Sequence, residues 1–162
     1  MLTHNDFMAR AVQLSLENIE ERVKGQPTGG PFGVVIVKDG EIIAEGANRV
    51  TATQDPTAHA EIVAIRAACK ILGSFQLPGC TMYTSCEPCP MCLGAVYWAH
   101  VARVYYANTR LDAARIDFDD SFIYEQLALP MERRTIPFVR LAHPDAICVF
   151  ERWAALKDKI IY

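Results

Sequence analysis

The sequence predicts an α/β protein with three layers, in which a mixed, mainly parallel five-stranded sheet carries helices on both faces. Two β-rich runs, residues 32–37 and 42–47, flank the hairpin signal Asp39-Gly40. Further along, β-rich segments alternate with segments of helical period, and this alternation requires parallel crossover connections. The chain contains no linker or repeat and is long enough to bury one core, so residues 1–162 are predicted to form a single domain.

The first helix and the helix after the hairpin carry recognisable start signals. Thr3 and Asp6 have capping-box spacing at the start of the first helix. The predicted apolar face of that helix consists of Phe7, Met8, Ala11, Val12, Ile19 and Val23. Asp55 is the predicted N-cap of the next helix, with Pro56 at the first helical position and Gly73 at the end.

The second half of the chain supplies the remaining predicted strands and helices. Residues 80–85 predict a third strand, and residues 90–99 predict a helix that is entered at a cysteine motif. Residues 101–107 predict the fourth strand and residues 135–141 the fifth. A last helix is predicted from about residue 145 to 157.

The charge balance and the two ends of the chain limit the classes of partner. A formal net charge of -3, with acidic and basic residues interspersed, gives no broad attraction for phosphate backbones, so we expect a small-molecule substrate and no nucleic acid. The first residues lack a targeting signal and no apolar run reaches membrane-spanning length, which predicts a cytoplasmic protein without membrane association. In that compartment the six cysteines are expected to be metal ligands and buried thiols.

Two short stretches, His59-Ala60-Glu61 and Pro88-Cys89-Pro90-Met91-Cys92, predict a zinc site. Catalytic zinc typically has three nitrogen or sulfur ligands from the protein and leaves its fourth position to water. The order H-x-E followed by P-C-x-x-C is typical of zinc deaminases that act on nucleobases, in which the glutamate is not a ligand. We therefore expect one zinc ion per chain on His59, Cys89 and Cys92, with Glu61 as the base.

The spacing of these residues constrains how the site can form. Proline suits the first turn of a helix, so Pro88 predicts that Cys89 and Cys92 lie in that turn. The two cysteines are three positions apart and share one face, so both sulfurs can reach one metal ion. His59 and Glu61 are two apart and cannot share a helical face, so their helix must point its N-terminus at the site.

Cys86 leaves two other metal sites to consider. Cys86 together with His59 and the other two cysteines would form a closed structural zinc site. An iron–sulfur cluster would need a fourth nearby cysteine, which the motif lacks. Because Pro88 places Cys86 before the helix, at the end of the preceding strand, the open three-ligand site is favoured.

The predicted site fits hydrolytic deamination. Zinc lowers the pKa of its bound water to about 7, which yields a hydroxide at neutral pH. Glu61 can take that proton and deliver protons to a ring nitrogen and to the departing amine. A planar amidine carbon is thereby attacked and ammonia is released.

Several stretches extend the pattern beyond the zinc motif. They are residues 30–33, 55–61, 83–92 and 118–124, together with Phe150-Glu151-Arg152-Trp153 and the terminal Tyr162. In these stretches the chain resembles the cytidine-deaminase-like superfamily and, within it, the bacterial guanine deaminases. The resemblance implies deamination of guanine to xanthine and ammonia, with zinc on His59, Cys89 and Cys92 and Glu61 as the proton shuttle.

The resemblance also implies roles for residues around the metal. Asn48 and the backbone of Ala60 would hold the purine, and Phe32 and Trp98 would line its ring. Asp120 would meet the exocyclic amine or the leaving ammonia, and Tyr162 would close the pocket. Members of this group are similar in forming homodimers that exchange their C-terminal segments, which predicts an exchanged lid of about residues 143–162.

Other functions remain open on the sequence. A tRNA adenosine deaminase shares the zinc motifs but requires a basic surface, whereas Lys157 and Lys159 share their end of the chain with Asp158 and apolar residues. Guanosine, cytosine and ammeline are further small substrates with an amidine carbon. A zinc-stabilised interaction module without catalysis is the alternative outside enzymes, and it gives Glu61 no role.

Overall fold

A computed structural model describes residues 2–161 and contains a four-stranded sheet with the strand order β2-β1-β3-β4. The strands are β1 Gly33–Lys38, β2 Glu41–Ala47, β3 Thr81–Cys86 and β4 Arg103–Asn108. All four lie close to their predicted positions, and the turn at Asp39-Gly40 joins β1 to β2 as expected. The chain divides into two units, Met1–Asp120 and Ser121–Tyr162, and the sheet lies in the first.

The direction of the strands confirms the predicted crossovers but changes the description of the sheet. β1 pairs antiparallel with both β2 and β3, and β3 pairs parallel with β4. β2, β3 and β4 therefore run in one direction, and the connection from β2 to β3 crosses over β1. Two of the three pairings are antiparallel, so the expectation of a mainly parallel sheet is wrong at the level of neighbouring strands.

One face of the sheet is covered by helix α1, His4–Val23. The predicted capping box is confirmed, because Thr3 caps the helix through its side chain and the backbone N–H of Thr3 donates to the Asp6 carboxylate at 2.7 Å. Phe7 and Ala11 pack against the apolar residues of this face of the sheet. The predicted apolar face is only partly correct, since three of its members are exposed: Val12, Ile19 and Val23.

The other face carries helices α3, Ala60–Leu72, and α4, Pro90–Trp98. Their buried residues form one core with Val34, Ile36 and Met82 of the sheet. Most of the buried positions of α3 are alanines, whose small side chains let the helix axis approach the sheet closely. Helices thus cover both faces, and the predicted three-layer α/β/α class is confirmed.

Helix α3 begins later than predicted. α3 begins at Ala60 and not at Pro56, because the Asp55 carboxylate accepts the backbone N–H of Thr57 at 2.8 Å and closes a local turn instead of capping a helix. A short helix α2, Val50–Thr53, precedes that turn. Helix α4 begins at Pro90, as predicted, but Pro88 lies before its first turn, so Cys89 is the N-cap and not a residue within the helix.

The remaining elements follow β4. In the first unit, helix α5 spans Arg110–Ala114. The second unit contains α6 Ser121–Ala128, a 3-10 turn at Met131–Arg133 and α7 Ala146–Ala155, which confirms the last predicted helix. Among residues 2–161 no helix combines the length and the apolar character that crossing a bilayer requires.

The predicted fifth strand at residues 135–141 does not form in the described chain. Pro137 removes a backbone donor from the middle of this segment, which disfavours strand pairing. The backbone N–H of Thr135 instead donates to the Gln126 side chain at 2.7 Å, within the second unit. The composition of the segment favoured a strand, but no sheet edge pairs with it.

An ion pair connects α1 to β2 and gives a first test of the fold. The Arg10 guanidinium donates to both carboxylate oxygens of Glu45, at 2.7 and 2.8 Å, and it also contacts Glu17. The Arg10 hydrogen bonds hold the pKa of Glu45 below its usual value. Both side chains of the pair are about one-third exposed, which limits its strength.

We predict that Glu45→Gln lowers the free energy of unfolding by about 1 kcal/mol at pH 7, the upper end for exposed pairs, because the contact is bidentate. A lowered folded-state pKa stabilises the protein above the unfolded-state pKa, and this contribution is lost as the pH falls through the folded-state value. The difference from the native protein should therefore shrink below about pH 4. Urea unfolding at several pH values measures it.

Glu41→Gln is the matched control for this test, because Glu41 lies on the same strand and makes no ion pair within residues 2–161. It should leave the free energy of unfolding nearly unchanged. A Glu45→Gln deficit that persists unchanged at low pH would show that the loss is not electrostatic.

Candidate active site

Helices α3 and α4 both begin at the same edge of the sheet, and each contributes two residues of the predicted zinc motif. His59 is the N-cap of α3 and Glu61 lies in its first turn. Cys89 is the N-cap of α4 and Cys92 lies in its first turn. Because β2 and β3 run in the same direction, the segments that follow their carboxyl ends meet at one edge of the sheet.

The three predicted ligands form a compact cluster. The Nδ1 atom of His59 lies 3.6 Å from the Cys89 sulfur and 3.5 Å from the Cys92 sulfur. All three ligand atoms lie within 4.8 Å of one another. Tetrahedral zinc with ordinary zinc–nitrogen and zinc–sulfur bonds places its ligands about 3.6 Å apart. The donor set and the distances therefore fit one zinc ion.

The protonation of the two thiols reflects their proximity. Hydrogen bonding from Cys92, together with the neighbouring His59 ring, lowers the pKa of Cys89 to about 4. The same contact with Cys89, together with burial, raises the pKa of Cys92. Cys89 in turn raises the pKa of His59. Two thiolates cannot both be stable here without a positive charge between them, which is what a divalent cation supplies.

Glu61 and Cys86 lie next to the cluster without belonging to it. Glu61 is 6% exposed, and burial raises the pKa of its carboxyl group. The Cys86 thiol donates to the Thr109 carbonyl at 3.6 Å, and burial, with the charge of Glu61, raises its pKa to about 11. Cys86 is therefore engaged as a neutral thiol at the end of β3. The three-ligand arrangement is the one that the described residues form.

The start of α3 is fixed against β2 by a close backbone contact. A Cβ atom on Gly46 would lie 2.4 Å from the Ala60 carbonyl oxygen, so only glycine fits there. Ala60 is fully buried, and its N–H lies in the first turn, where no carbonyl of the helix can accept it. His59 and Glu61 flank Ala60 in the sequence. The contact between Gly46 and Ala60 therefore fixes the positions of both residues.

Asn48 and Phe32 are connected through their backbones. The Asn48 N–H donates to the Phe32 carbonyl at 3.1 Å, and the Asn48 side-chain oxygen accepts the Val50 N–H at 3.1 Å. The Nδ2 group of Asn48 makes no hydrogen bond within the described part of the chain, so it is available as a donor. The Phe32 ring packs edge-on against Phe118, with ring centroids 5.0 Å apart.

Asp120 follows the turn that ends α5. Asp117 has a left-handed backbone, with φ of 67°, which aspartate tolerates better than most residues. The Phe118 N–H then donates to the Ala113 carbonyl at 3.1 Å. Burial and the charge of Cys89 raise the pKa of Asp120, so its carboxyl group is close enough to that thiol to interact with it electrostatically.

The structure does not bring Trp98 to the cluster within the first unit. Trp98 is the last residue of α4, nine positions and about 13 Å along the helix from Cys89, and it is 65% exposed. Tyr162 lies outside the described residues. One contributor was missed: Asn18 is buried in α1 and donates to the backbone of Asn48. The sequence does indicate that Asn18 is buried, because it lies seven positions after Ala11 and therefore on the same face of α1.

Comparison with known proteins agrees with this geometry. Residues 1–108 match the model of the cytidine and deoxycytidylate deaminase zinc-binding region. The chain is 52% identical to guanine deaminase from Bacillus subtilis over 99% of this chain and 100% of that protein. The X-ray structure of that enzyme superposes with a TM-score of 0.93, covering 99% of both chains.

More distant matches cover less of the chain. A guanine deaminase structure from Nitrosomonas europaea matches with a TM-score of 0.67 and 33% identity, covering 74% of this chain and 66% of that one. A tRNA-specific adenosine deaminase from Agrobacterium fabrum is 44% identical over 57% of this chain and 61% of its own length. The fold, the cluster and the matched zinc-binding region define a zinc-dependent deaminase. Within that class, the chain belongs to the guanine deaminase family.

We predict that the three clustered cysteines differ in their effect on metal content. Cys89→Ala and Cys92→Ala should lose zinc, because each removes one of three ligands. Cys86→Ala should keep about one zinc per chain, because its thiol donates to the Thr109 carbonyl and not to the cluster. Metal analysis of the purified proteins measures this difference. A metal-free Cys86→Ala that is otherwise folded would indicate a closed four-ligand site.

Proposed function

We propose that this protein hydrolyses guanine to xanthine and ammonia. The observation that carries the proposal is a buried glutamate beside a three-ligand zinc cluster, in a chain that matches a guanine deaminase from end to end. The three-ligand set leaves a coordination position for water, as catalytic zinc sites do. A stabilising module would need no buried carboxyl group next to its metal.

Glu61 carries the proton transfers in this proposal. His59, Cys89 and Cys92 would hold the zinc ion, which would lower the pKa of a bound water to about 7 so that it can lose a proton at neutral pH. Glu61 takes the proton of the attacking water and passes protons to the ring nitrogen and to the exocyclic amine. A carbon–oxygen bond forms at C2 of guanine, the bond to the exocyclic nitrogen breaks, and ammonia leaves. Burial raises the pKa of Glu61, which favours both accepting and donating a proton.

The other residues near the cluster orient the purine. The free Nδ2 group of Asn48 donates to an acceptor on the purine edge, and the N–H of Ala60 donates to a second one. The Phe32 ring covers one face of the base. Asp120 meets the exocyclic amine and the leaving ammonia, and its raised pKa lets it exchange a proton there.

The surface of the chain supports a homodimer. Helix α4 contains apolar residues on every side, yet Leu93, Tyr97 and Trp98 are exposed. A helix that is apolar all round normally lies buried, so a second copy of the chain is the partner that this surface fits. Trp98 contributes to this surface. A cytoplasmic location suits the site, because thiols stay reduced there.

The C-terminal segment acts in the partner's site in this proposal. Residues 143–162 contain α7, in which the Phe150 side chain is largely exposed and the Trp153 side chain about half exposed. Exchange of this segment between subunits would bury these side chains and would bring Tyr162 to the partner as a lid. The dimer is then needed for activity.

A substrate panel tests the reaction. Guanine, guanosine, cytosine, ammeline, adenosine and an anticodon stem-loop are each supplied to the zinc-loaded protein, and ammonia release is measured. We expect turnover of guanine to xanthine and none of the stem-loop, since the net charge of -3 offers no broad basic surface for RNA. Turnover of the stem-loop without turnover of guanine would identify a tRNA deaminase. Zinc without turnover of any substrate would identify a non-catalytic module.

Glu61→Gln is the matched variant for the mechanism, because it keeps the size of the side chain and removes the base. It should retain about one zinc per chain and lose guanine turnover by a factor of about 10²–10⁴. Near-normal turnover, or loss of the metal, would exclude the proposed role.

Exchange of the C-terminal segment has its own test. Deleting residues 156–162 leaves α7 complete and should leave zinc bound while sharply lowering guanine turnover. When this chain is mixed with Glu61→Gln under conditions that allow subunits to reassort, heterodimers should regain activity. In such a heterodimer the tail-deleted chain supplies an intact Glu61, and the Glu61→Gln chain supplies the intact tail that covers it. Heterodimers that form without regaining activity would rule out the exchange.

A further inference from the structure

Asn18 occupies an unusual position for an asparagine. It lies inside helix α1 on the face that packs against the sheet, in line with the apolar residues Phe7 and Ala11, and it is 2% exposed. Its Nδ2 group donates to the Gly30 carbonyl at 2.8 Å and to the Asn48 carbonyl at 3.1 Å. One side chain thereby joins the two loops that hold Phe32 and Asn48.

These two loops also bond to each other, so that Asn18 closes a ring of hydrogen bonds. The Phe32 N–H donates to the Gly30 carbonyl at 2.9 Å, and the Asn48 N–H donates to the Phe32 carbonyl at 3.1 Å. Gly29 touches Asn48 directly, since a Cβ atom there would lie 2.0 Å from the Asn48 side-chain oxygen. A shift of either loop would therefore move the Asn48 amide.

One polar atom of Asn18 is buried without a partner among the described residues. Its Oδ1 atom is enclosed and has no hydrogen-bond partner within residues 2–161. A buried acceptor without a partner lowers stability, and an apolar side chain of similar size would avoid this loss. The benefit of asparagine at this position thus lies in the two carbonyl groups that it holds.

We propose that Asn18 is a positioning residue for substrate recognition, which sets the Asn48 amide and the Phe32 ring at the spacing that the purine requires. This inference rests on the proposed function of the site. Asn18 does not touch the substrate, and it acts through the backbone of Asn48 and Gly30. Its loss should weaken purine binding and leave the metal cluster, which lies on α3 and α4, intact.

The test is a double-mutant cycle with guanine as substrate. Asn18→Leu keeps the branched shape of the side chain, with somewhat larger terminal groups, and removes both donors. Asn48→Ala removes the amide that Asn18 positions. We expect Asn18→Leu to raise KM about tenfold with a smaller change in kcat and one zinc per chain, as when one substrate hydrogen bond is lost. In the Asn48→Ala background, Asn18→Leu should raise KM little further, because the group it positions is absent.

Phe7→Leu is the matched control. Phe7 is buried on the same face of α1 but makes no hydrogen bond to the Gly30 or Asn48 carbonyl. It should lower the melting temperature without raising KM. If Asn18→Leu does not fold, Asn18→Ala takes its place in the cycle. The inference would be overturned if the two substitutions raised KM independently, so that their effects on KM multiplied in the double mutant. An unchanged KM in the Asn18 variant would also overturn it. Absence of guanine turnover in the native protein would instead overturn the proposed function itself.

Discussion

One zinc ion requires three ligand atoms about 3.6 Å apart, and in this protein two different helices carry them. This requirement constrains the rest of the structure. His59 and Cys89 meet this requirement because each is the N-cap of its helix, where the chain turns and the side chain extends past the helix end. Both helix starts lie at one edge because β2 and β3 run in the same direction. β1 separates these two strands, and the β2 to β3 crossover spans it.

The same arrangement explains the electrostatics of the site. Two helix N-termini favour negative charge, and here they face two thiols and a buried carboxyl group. In the absence of a cation the charges cannot all be present, since the pKa of Cys92 and that of Glu61 are raised while Cys89 ionises easily. The cluster is therefore arranged for a cation, and metal binding should contribute to the stability of this end of the fold.

The sequence predicted what depends on local patterns and failed where distant parts of the chain decide. The alternation of β-rich and helical segments, with the Asp39-Gly40 turn, placed the four strands correctly. The spacing of the H-x-E and C-x-x-C motifs brought the predicted ligands together. The start of α3 was wrong because an aspartate–proline pair suits an N-cap and a local turn equally well, and the close contact at Gly46 selects the later start. Asn18 was missed because asparagine in a helix usually faces solvent, and its acceptors lie far away in the sequence.

The similarities to known deaminases differ in how far they extend along the chain. The shared zinc-binding region stops at residue 108, the last residue of β4, and it contains every ligand together with Glu61. Asp120 and the second unit lie beyond this point, where the match to the Bacillus subtilis guanine deaminase continues. A metal cluster on a rigid sheet edge can serve many amidine substrates. In the proposed function, selection of the purine depends on the loops held by Asn18, which lie inside the shared region, and on the segment after β4, which lies outside it.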